Sequence, residues 1–205
     1  MDHSSSIKRF STYNSQTQMK KLAILASHNG SNLDAIYNAI QNNQLHATIS
    51  LVISNNSDAN VLQKAKEYNL QHFVLNQKNS QNPDQKITQL LTENLCDVVV
   101  LAGYMKKLSA DITSNFQVIN SHPSLLPKYG GVGMYGRYVH EAIINNNETK
   151  SGVTIHYVNE EYDEGKIILQ KELFLTPDES VETLERKVKE LEQSAVVEAL
   201  KLCLN

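Results

Sequence analysis

The chain has 205 residues, 40% of them hydrophobic and 20% charged, with a formal net charge of −3. That length holds one α/β domain with a full core rather than two comfortable ones, and the acidic balance excludes the basic surplus with which a protein grips nucleic acid. No apolar run reaches the roughly 18 residues that span a bilayer, so the expected partners are small molecules, with no membrane and no nucleic acid, and the chain is expected to be a monomer or a homodimer.

Residues 1–19 are rich in Ser, Thr, Gln and Asn and poor in aliphatics, a composition that reads as a disordered polar tail. Lys8, Arg9 and the many hydroxyls also raise an organellar transit peptide, but Asp2 and the lack of an amphipathic stripe favour the tail and a cytoplasmic location. From residue 20 to residue 205 short aliphatic runs alternate with helix-like patterns, the signature of parallel βαβ units. Strands are expected at 21–26, 48–54, 71–75, 97–102 and 117–120, followed by an antiparallel pair at 152–158 and 167–174. Helices are expected at 32–42, 59–68, 83–94, 135–145 and 181–202. The runs Leu22-Ala23-Ile24-Leu25 and Val98-Val99-Val100-Leu101 are continuous rather than alternating, as in strands covered on both faces. In the last helix Val181, Leu184, Val188, Leu191 and Ala195 follow steps of three and four, which turns one face to the sheet. The predicted fold is a single-domain, doubly wound, mainly parallel α/β sheet of Rossmann-like type, with an antiparallel region and a long helix at the C-terminal end.

Cys96 and Cys203 lie far apart, which is short of a disulfide framework and points to a reducing compartment. The seven histidines form no His-x-x-x-His pair and there is no Cys-x-x-Cys, so no metal is expected in the chemistry.

Four segments carry candidate chemistry. After the first strand, Gly30-Ser31-Asn32 opens a helix, where free backbone N–H groups and the helix dipole suit a phosphate; the plain alternative is a strand–helix corner. The spacing is neither Gly-x-Gly-x-x-Gly nor a P-loop, so no dinucleotide or nucleoside triphosphate is indicated. The strongest central strand ends in Ala102-Gly103-Tyr104-Met105-Lys106-Lys107-Leu108, and ligands of open parallel sheets gather at such carboxyl ends; a turn with a solvated lysine pair is the alternative. Next, Val118-Ile119 runs into Asn120-Ser121-His122-Pro123-Ser124-Leu125-Leu126-Pro127. In an extended segment residues i and i+2 face one side, so Asn120 and His122 can aim a donor and a proton-transferring group into one cavity, an arrangement suited to acyl transfer. The glycine-rich stretch 128–136 that follows can close over a site. Finally Asn159-Glu160-Glu161-Tyr162-Asp163-Glu164-Gly165 is an acidic turn that could orient the histidine, or be a solvated surface. His156, on the strand before it, is left between site and core.

The string Asn-x-His-Pro-Ser-Leu-Leu-Pro, with the Gly-Ser-Asn loop and an acidic turn ending Asp-x-Gly, resembles the folate-dependent formyltransferases, and among them the glycinamide ribonucleotide formyltransferases. The resemblance runs from residue 20 to the C terminus. It implies transfer of the formyl group of N10-formyltetrahydrofolate, as cosubstrate, to the amine of glycinamide ribonucleotide in purine synthesis, with no covalent enzyme intermediate. It implies catalytic roles for Asn120, His122 and Asp163, ribonucleotide binding by Gly30, Ser31, Asn32 and Glu192, and folate binding by Met105, Lys106, Leu108, Glu160, Glu161 and Tyr162. The chain departs from the family where glycine replaces the proline of Lys-Tyr-Pro-Gly and extra residues precede the next helix. Methionyl-tRNA formyltransferase, formyltetrahydrofolate hydrolase and a non-catalytic folate- or nucleotide-binding module are the alternatives. The first is expected to carry a further basic C-terminal domain and the second an N-terminal regulatory one.

Overall fold

The computed structural model describes residues 19–204; all but the last residue of the expected polar tail lies outside them. Seven strands form one sheet: β1 (Lys20–Leu25), β2 (Ala47–Ser54), β3 (His72–Val74), β4 (Val98–Leu101), β5 (Gln117–His122), β6 (Lys150–Tyr157) and β7 (Ile167–Phe174). Their spatial order is β3-β2-β1-β4-β5-β6-β7. The first five run parallel, and β6 and β7 run antiparallel to their neighbours. The helices are α1 (Ser31–Gln41), α2 (Asn60–Glu67), α3 (Pro83–Glu93), α4 (Ala110–Asn115), α5 (Arg137–Asn145) and α6 (Val181–Leu204). This is the doubly wound architecture read from the sequence, and its strand order reverses between β1 and β4, where such sheets open a crevice.

Burial follows the two periodicities. All four residues of β4 are buried, as are Leu22 to Leu25 of β1. Two cores result: Leu22, Ile24, Val98 and Val100 face α1 and α6, and Ala23, Leu25, Val99 and Leu101 face Ile87, Leu91 and Ile112 of α3 and α4. On α6 Leu184, Val188 and Ala195 of the predicted stripe are buried and Val181 and Leu191 are half-buried, and the buried face continues through Val196, Ala199 and Leu200. By contrast β7 alternates and places Lys171 and Glu172 on the outermost strand, where charge discourages pairing with another sheet. At α3, Asn82 caps the helix by accepting from the Gln85 N–H at 3.1 Å, and Pro83 sits in the first turn.

The differences from expectation have local causes. Strand β5 continues two residues past Asn120, because β6 supplies partners beyond the point where β4 ends: Leu101 pairs Asn120, while His122 pairs Thr154. Helix α5 starts at Arg137 rather than Tyr135, since Gly136 has φ 53° and ψ −132°, which no helix accommodates. Helix α4 was not among the expected helices, because its six residues are too few to show a hydrophobic period.

One close approach fixes the acidic turn. A Cβ on Gly165 would stand 1.7 Å from the Tyr157 carbonyl oxygen, while the Tyr157 N–H donates to the Lys166 carbonyl at 2.9 Å. Gly165→Ala is therefore expected to cost about 1–3 kcal/mol through forced backbone movement, read as a lowered urea midpoint.

Candidate active site

The site lies at the carboxyl ends of β1, β4 and β5, beside β6. Asn120 and His122 project from the same face of β5, as their spacing demands. The Nε2–H of His122 donates to the Tyr129 carbonyl at 2.7 Å, which fixes that proton and leaves Nδ1 facing Asp163 Oδ2 at 3.5 Å. His122 is 4% exposed, and burial holds its pKa below the usual histidine range against the opposing pull of Asp163 and the Tyr129 carbonyl. Burial also opposes ionisation of Asp163, but nearby His156 and His122, with the Gly131 N–H donating to Oδ2 at 2.9 Å, outweigh it and hold the carboxyl below its usual range. The pair is thus a neutral imidazole beside a carboxylate.

His156 belongs to this group. Its register partner across the β5–β6 pair is Asn120, its Nδ1–H donates to the Tyr157 carbonyl at 2.9 Å, and its Nε2 accepts from Asn120 Nδ2 at 3.2 Å. Asn120 is thereby oriented, and its second amide N–H has no hydrogen-bond partner among the described residues. His156 Nε2 also lies 3.6 Å from Asp163 Oδ1. The signal in the sequence was alternation along β6, which puts Gly152, Thr154 and His156 on one face; its meaning depends on a pairing the sequence does not print.

The expected ribonucleotide residues converge elsewhere on the same edge. Gly30 caps α1 in the left-handed region (φ 68°, ψ 34°), so the N–H groups of the first helical turn point outward. Asn32 is buried and spends its amide on Glu192: Nδ2 donates to Oε1 at 2.9 Å, joining α1 to α6. Burial pushes the Glu192 carboxyl up, opposed by Ser121, Asn32 and Lys189. The loop therefore offers an anion its backbone and the Ser31 hydroxyl, with one Asn32 N–H engaged by Glu192.

Of the expected folate residues, Lys106, Leu108, Glu161 and Tyr162 line a cavity of about 90 Å³ that reaches Asn120 and Asp163. Met105 and Glu160 do not line it. Met105 instead borders an adjoining cavity of about 810 Å³ over β1 to β4, which shares Tyr104, Lys106 and Lys107 with the first. Tyr104 and Lys107, from the segment expected to gather a ligand but outside the expected folate set, also line it, and Val158 is a wall with no signal in the sequence; Lys107 Nζ sits 4.9 Å over the Tyr162 ring.

Residues 20–200 match the family model described as formyl transferase. The chain belongs to the formyl transferase family. It is 40% identical over 179 residues to the phosphoribosylglycinamide formyltransferase of Haemophilus influenzae, covering 85% of this chain and 82% of that one. Glycinamide ribonucleotide transformylase 1 from Symbiobacterium toebii superposes with a TM-score of 0.85 at 28% identity, over 92% of this chain and 89% of that one. A formyltetrahydrofolate deformylase from Pseudomonas syringae has a TM-score of 0.83 at 26% identity, over 92% of this chain but 62% of its own. Formyl transferase membership agrees with the Asn-x-His-Pro-Ser-Leu-Leu-Pro string, and among the described residues no helix is long and apolar enough to cross a membrane.

His140, on α5, stands behind His122. It is buried, its Nδ1 has no partner among the described residues, and burial pushes its pKa down to about 4, against Glu185 and with Lys189, His122 and Arg137. Between about 4 and the unfolded value of 6.5 the unfolded chain binds the extra proton, so stability rises with pH across that window and is lost as pH falls through it. Urea unfolding at about pH 7 and about pH 4.5 is expected to show this loss, and His140→Gln to reduce it.

Proposed function

We propose that this protein is a phosphoribosylglycinamide formyltransferase, transferring the formyl group of N10-formyltetrahydrofolate to the amine of glycinamide ribonucleotide, with formylglycinamide ribonucleotide and tetrahydrofolate as products. The observation that carries the reading is the convergence of Asn120, His122 and Asp163 between a helix-start anion loop and a cavity with apolar walls. The 40% identity to the H. influenzae enzyme supports it. Residues 20–205 form the formyltransferase domain in this reading, acting in the cytoplasm on small molecules.

The formylfolate supplies an activated one-carbon unit when bound. Leu101, Leu108 and Val158 line the cavity with apolar surface, while Lys106, Tyr162 and the 159–163 turn hold its polar rim. Gly30 and Ser31 take the phosphate of the ribonucleotide, and Glu192, held by Asn32, faces its glycinamide portion. Asn120 gives the N–H not used by His156 to the formyl oxygen as negative charge develops there. His122 accepts at Nδ1 the proton that the attacking amine loses, and Asp163 stabilises the resulting imidazolium. The formyl carbon gains a bond to the amine nitrogen and loses its bond to the folate nitrogen, which takes up a proton.

The test is steady-state assay of purified protein with glycinamide ribonucleotide and the formylfolate, following the folate absorbance change. Consumption that requires the ribonucleotide supports the reading. Equal consumption without it, with formate released, replaces it by a hydrolase.

A further inference from the structure

The loop after the catalytic string is held by contacts that the transfer itself does not use. Tyr129, whose carbonyl takes the His122 Nε2 proton at 2.7 Å, has φ 56°. A tyrosine in the left-handed region is disfavoured and persists only where its surroundings hold it. Here the holding groups are identifiable. The Ser124 hydroxyl donates to the Lys128 carbonyl at 2.6 Å, and the Gly131 N–H is tied to Asp163. Between them, Glu148 Oε1 accepts from both Lys128 Nζ at 2.8 Å and the Tyr129 hydroxyl at 2.9 Å. Glu148 sits in the α5–β6 turn, anchored by its own N–H to the Ile143 carbonyl at 3.3 Å.

The two bonds to Glu148 differ in weight. The Lys128 side chain is 68% exposed, so its ion pair is screened and contributes little. Tyr129 is half-buried and packs against the core, and the Glu148 side chain is 23% exposed. The Tyr129 hydroxyl is therefore the contact that can aim the backbone of residue 129. Hydrogen bonds from Lys128 and Tyr129 hold the Glu148 carboxyl below its usual range, so it remains a charged acceptor at neutral pH.

We propose that Glu148 is a positioning residue for His122: through the Tyr129 hydroxyl it holds the Tyr129 carbonyl where it captures the Nε2 proton and leaves the Nδ1 lone pair for the reaction. The inference rests on His122 being the proton acceptor. The groups that face His122 are Asp163 in the turn after β6, His156 on β6, His140 on α5 and the Tyr129 carbonyl. The carbonyl favours the imidazolium, so when it swings away the His122 pKa falls and the acid limb of the turnover profile moves to lower pH.

The experiment compares Glu148→Ala, Glu148→Gln, Tyr129→Phe and His122→Ala in the purified enzyme. Glu148→Ala and Tyr129→Phe are expected to lower kcat roughly ten- to a hundredfold, the scale of a small misplacement of a catalytic group. Both KM values are expected to stay within about twofold, because neither residue touches substrate. The acid limb moves down in both, and ¹⁵N-histidine spectra lose the pure Nε2–H form of His122. Glu148→Gln keeps an acceptor oxygen for Tyr129 and restores most of kcat. Wild-type kcat in Glu148→Ala and Tyr129→Phe overturns the proposal, and so does a lowered kcat with an unmoved acid limb and unchanged tautomer. If Glu148→Ala fails to fold, Tyr129→Phe decides. Full turnover in His122→Ala would instead remove the reading of the site on which the proposal stands.

Discussion

Replacing His122 by alanine is expected to lower turnover by about 10²–10⁴-fold, the contribution of a positioned acid–base group, while binding of the ribonucleotide stays near that of the wild type. The separation follows from the fold: His122 stands at the end of β5, while the anion loop belongs to the β1–α1 turn. Asp163→Asn tests the other half of the pair. Asparagine keeps an oxygen that can accept from the Gly131 N–H, so the loop contact survives and only the negative charge facing Nδ1 is lost. Since the folded protein holds the Asp163 carboxyl below its usual range, that charge is present throughout the neutral region, and its removal is expected to cost as much as loss of the imidazole. Residues that act as one unit are non-additive, so the double variant should be no worse than the worse single. Steady-state kinetics with calorimetric titration of the ribonucleotide checks all three, and wild-type turnover in either single variant would remove that residue from the mechanism.

The placement of Asn120 and His122 was legible because its determinants are local. Asn120 and His122 share a face by strand geometry alone, and the glycine two residues beyond Asp163 marks a turn whose closeness to Tyr157 explains why no side chain fits there. Gly30 was legible for the same reason, as a left-handed cap at a helix start. His156 was not, because its place beside Asn120 depends on the register of β5 against β6. The bond between Asn32 and Glu192 spans 160 positions and appears only when α1 and α6 are packed. A backbone carbonyl such as that of Tyr129 leaves no residue-type signature at all, and the glutamate that holds it sits in a turn where any acid would be read as solvated. Of the 105–108 and 160–162 segments, Lys106, Leu108, Glu161 and Tyr162 line the cavity beside Asn120, whereas Met105 faces the neighbouring one, a difference of side-chain direction within a turn that the sequence does not display.

Gly30→Val is expected to raise the KM for glycinamide ribonucleotide about a hundredfold and the KM for the formylfolate far less. Two features act together. At φ 68° a β-branched residue is strained, and a Cβ there would meet Val61 Cγ2 at 2.6 Å and its Cα at 3.1 Å. The second contact is with backbone, so no rotamer change relieves it, and the β1–α1 loop must move away from α2. That displacement turns the N–H groups of Gly30, Ser31 and Asn32 away from the phosphate they are proposed to hold, and a shift of about 1 Å in a positioned group costs about 10²-fold. The catalytic group is spared, because Asn120, His122 and Asp163 lie on β5 and the turn before β7. Gly30→Ala relieves the β-branch but not the Val61 contact, so it is expected to fall between wild type and valine. Inorganic phosphate supplies an independent readout: as a competitive inhibitor against the ribonucleotide it should weaken in parallel across the two variants. Equal rises in both Michaelis constants would mean that the loop supports the whole site rather than the phosphate.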